Sequence, residues 1–559
     1  MDHLLRLNRY AGDDLHWAGV PREPISTSIA LTALIFNSLS AAGIAISVGA
    51  AGAIGGALIT GAVLVGAQFA LRKSVPDVGG LDSTGVANVN TPSARGSIRE
   101  SASPQRRIYG RVGGLGGGWL FYDDATAQYQ YLMLGLARGR IHAIRSVTIN
   151  NNRITFSGGT PFNTILDPVG VEGQDYVGNL KACFRNGSAD QTKDPLLDAY
   201  FPASGSEIVY DSTGLNVVNL PTSFRQSGYA TASFRAKFGS TQDQFDARWG
   251  HVAYINPLME VDGHPLFDPR DPSQDMNDES TWKFYYDGRE PGRNPTLIQR
   301  DWLCQPFGGR LRPDQIRLDE MIEAANYDDE MVGDRDGNLR VRHQADGLVL
   351  LNENPRHVTE AMLTANRAWI VNSRGRSGWV ASKPLTPVLT ITETDIRGGF
   401  DFRDSAAKND QFNRVRTRFP SPDKDFAEDD GPVLDRADLR ADEDGDELLD
   451  TSVRTPFTTD QRAVQWLSQQ FLEDSRTGKA LDIANLDAIS ARILKRKLGN
   501  VVRVQHRFYP EIDGIYQIRK DAISSDWTGV SWSLREYDSS IASRDRSADQ
   551  QDYQVGEAA

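Results

Sequence analysis

Only two cysteines occur in the 559 residues, Cys183 and Cys304, far apart and with no Cys or His spaced to complete a zinc pair. A disulfide framework and a structural zinc site are therefore not expected, and both thiols read as small apolar fillers of a core. Nucleophile motifs are also missing. The eight histidines are scattered, and neither G-x-S-x-G nor HExxH is present. The glycine string at 110–119 (GRVGGLGGGW) lacks the Walker Lys-Ser/Thr and the strand, GxGxxG, helix order of a dinucleotide site. It is expected instead to mark a loop or strand crossing where backbones approach closely. No basic stripe balances the net charge of -13, so the chain is poorly suited to gripping nucleic acid, which requires Lys and Arg to displace counterions from phosphates. A weakly repelling wall still suits a channel through which a duplex slides. No catalytic residue, cofactor or metal site is expected.

What the chain does have is one uncharged run, residues 24–71, flanked by Arg22 and Glu23 on one side and Arg72 and Lys73 on the other. A bilayer crossing takes about 20 apolar residues, so the run can supply two helices, 29–48 and 54–71, joined around 49–52. Gly52 and Gly56 stand in a small-xxx-small relation, and Gly61 and Gly66 extend it, which lets helix backbones pack closely. The expectation is a hairpin bearing Ile29, Leu34 and Leu71 on its apolar surface, either membrane-competent or plugging a lumen. The polar residues before it, including Asp13, Asp14 and Glu23, do not suit a secretory signal peptide.

The remainder reads as mixed and β-dominated (α+β), with tandem β-barrel or β-sandwich domains and short covering helices. A tail at 1–24 precedes the hairpin at 25–71, and a Gly/Ser/Pro-rich linker or arm at 72–104 follows it. Short strands at 120–122, 129–136, 142–149 and 153–156 open a β-rich domain at 105–240. An α/β domain is expected at 241–345, with Asn294-Pro295 starting one helix and Pro313 another through Ile316, Met321, Ile322 and Ala325. A β-rich domain at 346–455 takes a helix after Asn354-Pro355. A C-terminal β-rich domain at 456–538 takes one after Thr458-Thr459-Asp460, and a polar tail fills 539–559. Residues 423–450 carry 13 acidic side chains against Lys424, Arg436 and Arg440 and are expected to form an acidic loop. Within it, 442–447 (DEDGDE) offers oxygen ligands but lacks the register of a calcium loop, and it reads as a mobile, solvated stretch because like charges repel. Asp334 to Asn338 reads as a hairpin turn.

Taken in order, several segments resemble the central tail hub family of long-tailed bacteriophages, which includes lambda-type tail-tip attachment proteins and is related to the hub of contractile-tail baseplates. They are SPQRRIYGR at 103–111, YLMLGLA at 131–137 leading to IRSVTI at 144–149, and MEVDGHPLFDPR at 259–270. RNP at 293–295 before Trp302-Leu303, IEAAN at 322–326 before Asp336-Gly337, TITETDI at 390–396 and LREYD at 534–538 complete the series. The resemblance implies a homotrimer around an axial channel, located at the virion tail tip. Implied partners are the distal tail protein, hub-associated tip proteins, the tape measure protein and tail fibres, with DNA only in transit. It implies a structural role: the hub closes the tube, anchors fibres and opens for DNA ejection. The apolar run itself adds the expectation of helices that plug the lumen or enter the host membrane transiently. Larger relatives continue into fibre domains, so fibre attachment is expected here rather than direct receptor binding. Two other readings compete, a membrane-anchored bacterial surface or secretion protein and a tail-associated cell-wall hydrolase.

Overall fold

The computed structural model describes residues 104–551, apart from 124–128, 150–151, 170–175, 202–208, 211–215, 218–219, 221–222, 238–242, 245–248, 250–254, 374, 406–407, 488–495 and 524–528. The expected hairpin with Ile29, Leu34, Gly52, Gly56, Gly61, Gly66 and Leu71 lies outside the described residues. Among the described residues no helix is long and apolar enough to cross a membrane. The fold is β-dominated with a few short helices, as the patterning predicts.

Two sheets make the first module. Strands Gly118–Asp123, Tyr129–Arg138, Tyr229–Lys237, Leu180–Asn186 and Ile165–Leu166 lie side by side in that order, all antiparallel. The second sheet orders Arg111–Leu115, Pro257–Asp262, Ala143–Ile149 and Asn152–Ile154. Leu132, Leu134 and Phe234 from the first sheet and Val147, Ile149 and Met259 from the second share one core. Tyr129–Arg138 is a near-continuous apolar run rather than an alternating one, because both of its faces are covered. Met133 and Tyr131 pack on the far side against Leu197 and Phe201, beside the helix Pro195–Tyr200.

The next module is built on helices. Pro295–Cys304, capped by the Asn294 side chain accepting from the Leu297 N–H, packs with Leu318–Asp328 and Pro355–Leu363 around the fully buried Trp302. Asn354 caps the third of these helices in the same way. The second helix departs from expectation. Pro313 opens only a 3-10 turn, Pro313–Gln315, and the chain then bridges to the hairpin Trp369–Ser373/Arg376–Val380 through the Arg317 N–H and the Ser377 carbonyl before the α-helix starts. Asp328 ties these pieces together: it accepts from Thr296 and Asn366 and contacts His343 Nδ1 at 3.0 Å. Asp334 forms the expected turn, accepting from the backbone N–H groups of Asp336 and Asn338 with Gly337 at φ 79°.

The acidic segment is not one loop, which corrects that expectation: strands and the helix Ala437–Asp442 occupy much of it, and 443–449 is turn and loop. Ala427–Asp430, Leu434–Asp435 and Asp450–Arg454 all pair with Arg414–Ser421. That central strand alternates: Val415, Thr417 and Phe419 point inward, towards the helix Gln461–Arg476, and Arg414, Arg416 and Arg418 point outward. Each outward arginine meets an acid, Asp435, Asp450 and Asp430 respectively, at 2.8 Å. Arg454 binds Glu428 and Arg476 binds Asp444. Exposed pairs of this kind contribute about 0–1 kcal/mol each, but together they remove the repulsion that would have kept the segment unfolded. A six-stranded sheet, two of whose strands precede the acidic segment and whose last is followed by the helix Ser539–Ser543, has the order Thr390–Ile391, Val501–Val504, Gly514–Ile523, Gly529–Glu536, Ala480–Asp487, Phe400–Arg403, around Ile483, Val502, Tyr516 and Trp532.

Candidate functional site

The three modules upstream of the C-terminal sheet converge on residues 106–114. The strand Arg106–Tyr109 pairs with Gly347–Leu350, some 240 residues later, and every one of its four residues is buried. Gly110 then turns the chain at φ 63°, so that Arg111–Leu115 enters the first module's second sheet. Gly110 donates its N–H to the Gly292 carbonyl at 3.1 Å and accepts from Gly263 N–H at 2.7 Å. A Cβ at Gly110 would overlap the Ala345 carbonyl and the Asp346 side chain. Further along, a Cβ at Gly113 would strike the Phe426 ring, and one at Gly114 would lie 2.7 Å from the Asp425 carbonyl. The glycine string is thus a backbone crossing, as its composition predicts, and what it crosses is the first turn of the acidic sheet.

Around this crossing three carboxylates are buried, each against an arginine. Asp301 accepts from Arg107 Nη2 at 2.9 Å and from the Tyr109 hydroxyl at 2.7 Å. Asp262 accepts from Arg111 Nε at 2.9 Å, Arg145 Nε at 2.6 Å and the Tyr285 hydroxyl at 3.0 Å. Asp346 accepts from Arg293 through both Nε (2.8 Å) and Nη2 (2.7 Å), from the Arg111 N–H at 2.8 Å and from the Thr459 hydroxyl. Residues 111, 293 and 459 come from three different parts of the chain, so one carboxylate fastens the β module, the helical module and the start of the long helix together.

Burial alone would raise the Asp301 and Asp262 carboxyl groups, but their charged and hydrogen-bonded partners, Arg107 foremost at Asp301 and Arg145 and Arg111 at Asp262, outweigh it. Asp301 is held at about 2 and Asp262 is held below the usual carboxylate range. His264, whose Nδ1 lies 3.0 Å from the Arg140 carbonyl and so carries the proton, is pushed down to about 3 by burial and by the neighbouring Arg107 charge. Both shifts make the unfolded chain the stronger proton binder, so stability falls as pH falls. The His264 contribution is complete above the ordinary value of 6.5 and erodes from there towards 3, and that of Asp301 erodes from 3.8 to about 2. Urea melts at a series of pH values are expected to show a loss beginning below about pH 6.5, with Asp301 adding on the order of 2 kcal/mol at the acid end. His264→Gln should flatten the part between pH 6.5 and 4. An unchanged profile in that variant contradicts the assignment.

Chemically this is a cross-link. A general acid needs a carboxyl group held protonated near neutral pH and open to substrate, whereas Asp262 and Asp301 are held ionised and closed off by arginine. Within 442–447, Asp444 is engaged by Arg476 and Asn413, Glu443 lies 3.6 Å from Arg476, and Glu447 pairs with Lys408 at the surface. Of the two thiols, Cys183 is buried in its strand and pushed up to about 12 by burial, and Cys304 is half-buried at a helix end. None of the junction residues is singled out by sequence reasoning beyond its place in a motif string. The available signal was the charged pairs inside apolar strand patterns, Arg106-Arg107 before Ile108-Tyr109 and Asp262 after Val261.

No protein-family model and no curated protein matches the sequence. Among solved structures, a chain from the virion of native gene transfer agent (GTA) particle is similar at a TM-score of 0.51 and 13% identity, covering 86% of this chain and 96% of that one. The tail protein from Neisseria meningitidis MC58 gives a TM-score of 0.28 at 12% identity over 77% of this chain and 97% of that one. The 43 kDa tail protein of prophage MuSo2 from Shewanella oneidensis gives 0.27 at 10% identity over 78% and 98%. Scores that low carry no argument, and at 13% identity the first likeness speaks for the fold alone. The chain shares its fold, over most of its length, with a protein of the gene transfer agent virion.

Proposed function

We propose that this chain is a structural protein of a phage-like tail: a homotrimeric hub that closes the tail tube at its tip, anchors fibres and opens for DNA ejection. The observation that carries the reading is the fold likeness to a GTA virion chain, which extends over 86% of this chain and 96% of the other. The motif order from 103–111 to 534–538 supports it independently. The role is mechanical rather than catalytic, and the buried arginine–carboxylate junction suits it, since a gate must move as a body without its modules separating. In this reading the distal tail protein, tip proteins, tape measure and fibres are its neighbours, and residues 25–71 form the plug that leaves the lumen and enters the host membrane. Sedimentation of the purified full chain tests the assembly: a single species of three copies at micromolar concentration is expected, and a monomer at all concentrations contradicts the hub.

A further inference from the structure

A cleft separates the helical module's hairpin from the C-terminal sheet, lined by Arg367, Trp369, Lys383, Asp474, Arg519 and Tyr537 among others. Arg519, on the strand Gly514–Ile523, lays its guanidinium on the Trp369 ring, with 3.5 Å from its central carbon to the ring centroid. The stack covers the face of the cation and leaves the N–H donors at its edge. Of these, Nε and Nη1 are buried without a hydrogen-bond partner. Arg367, only 5% exposed and held at φ 51°, gives Nη2 to Asp474 and likewise leaves Nε and Nη1 unpartnered and buried.

The acids and hydroxyl nearby are already engaged. Asp474 takes Arg367, Glu536 accepts from the backbone N–H groups of Gly478 and Lys479 at 3.1 Å, and Asp538 caps the helix Ser539–Ser543. Lys383 pairs with Glu323, and the Tyr537 hydroxyl donates to the Lys383 carbonyl at 3.0 Å. Burial therefore works against the Arg519 charge, and the nearby Arg535 and Arg367 add repulsion that Asp474 offsets only in part. A buried cation with open donors is costly. Nε and Nη1 lie on different edges of each guanidinium, so each needs its own acceptor, and an oxyanion with several oxygens supplies charge and acceptors together.

We propose that this cleft is an oxyanion-binding site in which Arg519 and Arg367 grip a phosphate or carboxylate group through their unpartnered N–H donors and Trp369 supports the Arg519 guanidinium. The group joins the hairpin to the C-terminal sheet, so its occupancy sets how firmly those two parts hold together. The test uses the full chain at constant ionic strength, with chloride replaced stepwise by inorganic phosphate and, in a second arm, by acetate. Thermal unfolding is expected to shift upward by about 2–4 °C at saturation in at least one arm, and the responding arm identifies the source of the oxyanion. Arg519→Met and Arg367→Met should each abolish the anion-dependent increment, whatever they do to the baseline. Should Arg519→Met fail to fold, Arg519→Lys takes its place: it keeps the charge and loses the planar guanidinium, and the increment should fall by at least half. No increment in the unmodified chain in either arm, or the same increment in the Arg519 variant, overturns the site.

Discussion

Asp346→Ala is expected to lower the unfolding free energy by about 3–5 kcal/mol, the usual cost of stranding a buried charge by removing its partner. The carboxylate is only 1% exposed and meets four donors: Nε and Nη2 along one edge of Arg293, the Arg111 N–H and the Thr459 hydroxyl. Arg293 would retain only Glu290 at 2.9 Å, and a backbone N–H would be left unpaired. Asp346→Asn keeps acceptor oxygen for part of this network and should cost less than the alanine. Chemical denaturation of the two variants against the unmodified chain checks the order. Equal and small losses, under about 1 kcal/mol, mean that the junction behaves like a surface ion pair and does not hold the modules.

Gly110→Ala tests the same junction through the backbone. A Cβ at φ 63° carries a cost of roughly 1–2 kcal/mol, and overlap with the Ala345 carbonyl adds about 1–3 kcal/mol of overpacking. Gly158 is the matched control. It also has positive φ, 80°, but a Cβ there meets nothing within 4 Å, so Gly158→Ala should show the conformational cost alone. A Gly110 variant no less stable than the Gly158 variant removes the close approach from the account.

What the sequence shows well here is local. Asn294, Asn354 and Asp460 announce helix starts because a cap needs only its own side chain and the next N–H groups. The glycine string announces a close approach because nothing else tolerates one. The partners in that approach are invisible in the same string, since Phe426 lies more than 300 residues away. Arg107 and Asp301 are separated by 194 positions and Arg111 and Asp346 by 235, so neither pair can be read from spacing. The acidic segment misleads for a related reason. Its charge counted alone predicts a loop, while the neutralising Arg414, Arg416 and Arg418 sit just upstream on a strand whose alternation is plain once the two segments are read together. Non-local pairing also explains why Pro257–Asp262 joins the sheet begun by Arg111–Leu115.

The junction and the cleft describe how one chain holds its own modules, and the assembly claim stands above both. Image the intact particle with the chain tagged at its C-terminus, averaging the tail tip without imposed symmetry. The account predicts three tags around the axis at the tip and a threefold density closing the tube. Tags distributed along the tube, or a tip density built without this chain, contradict it.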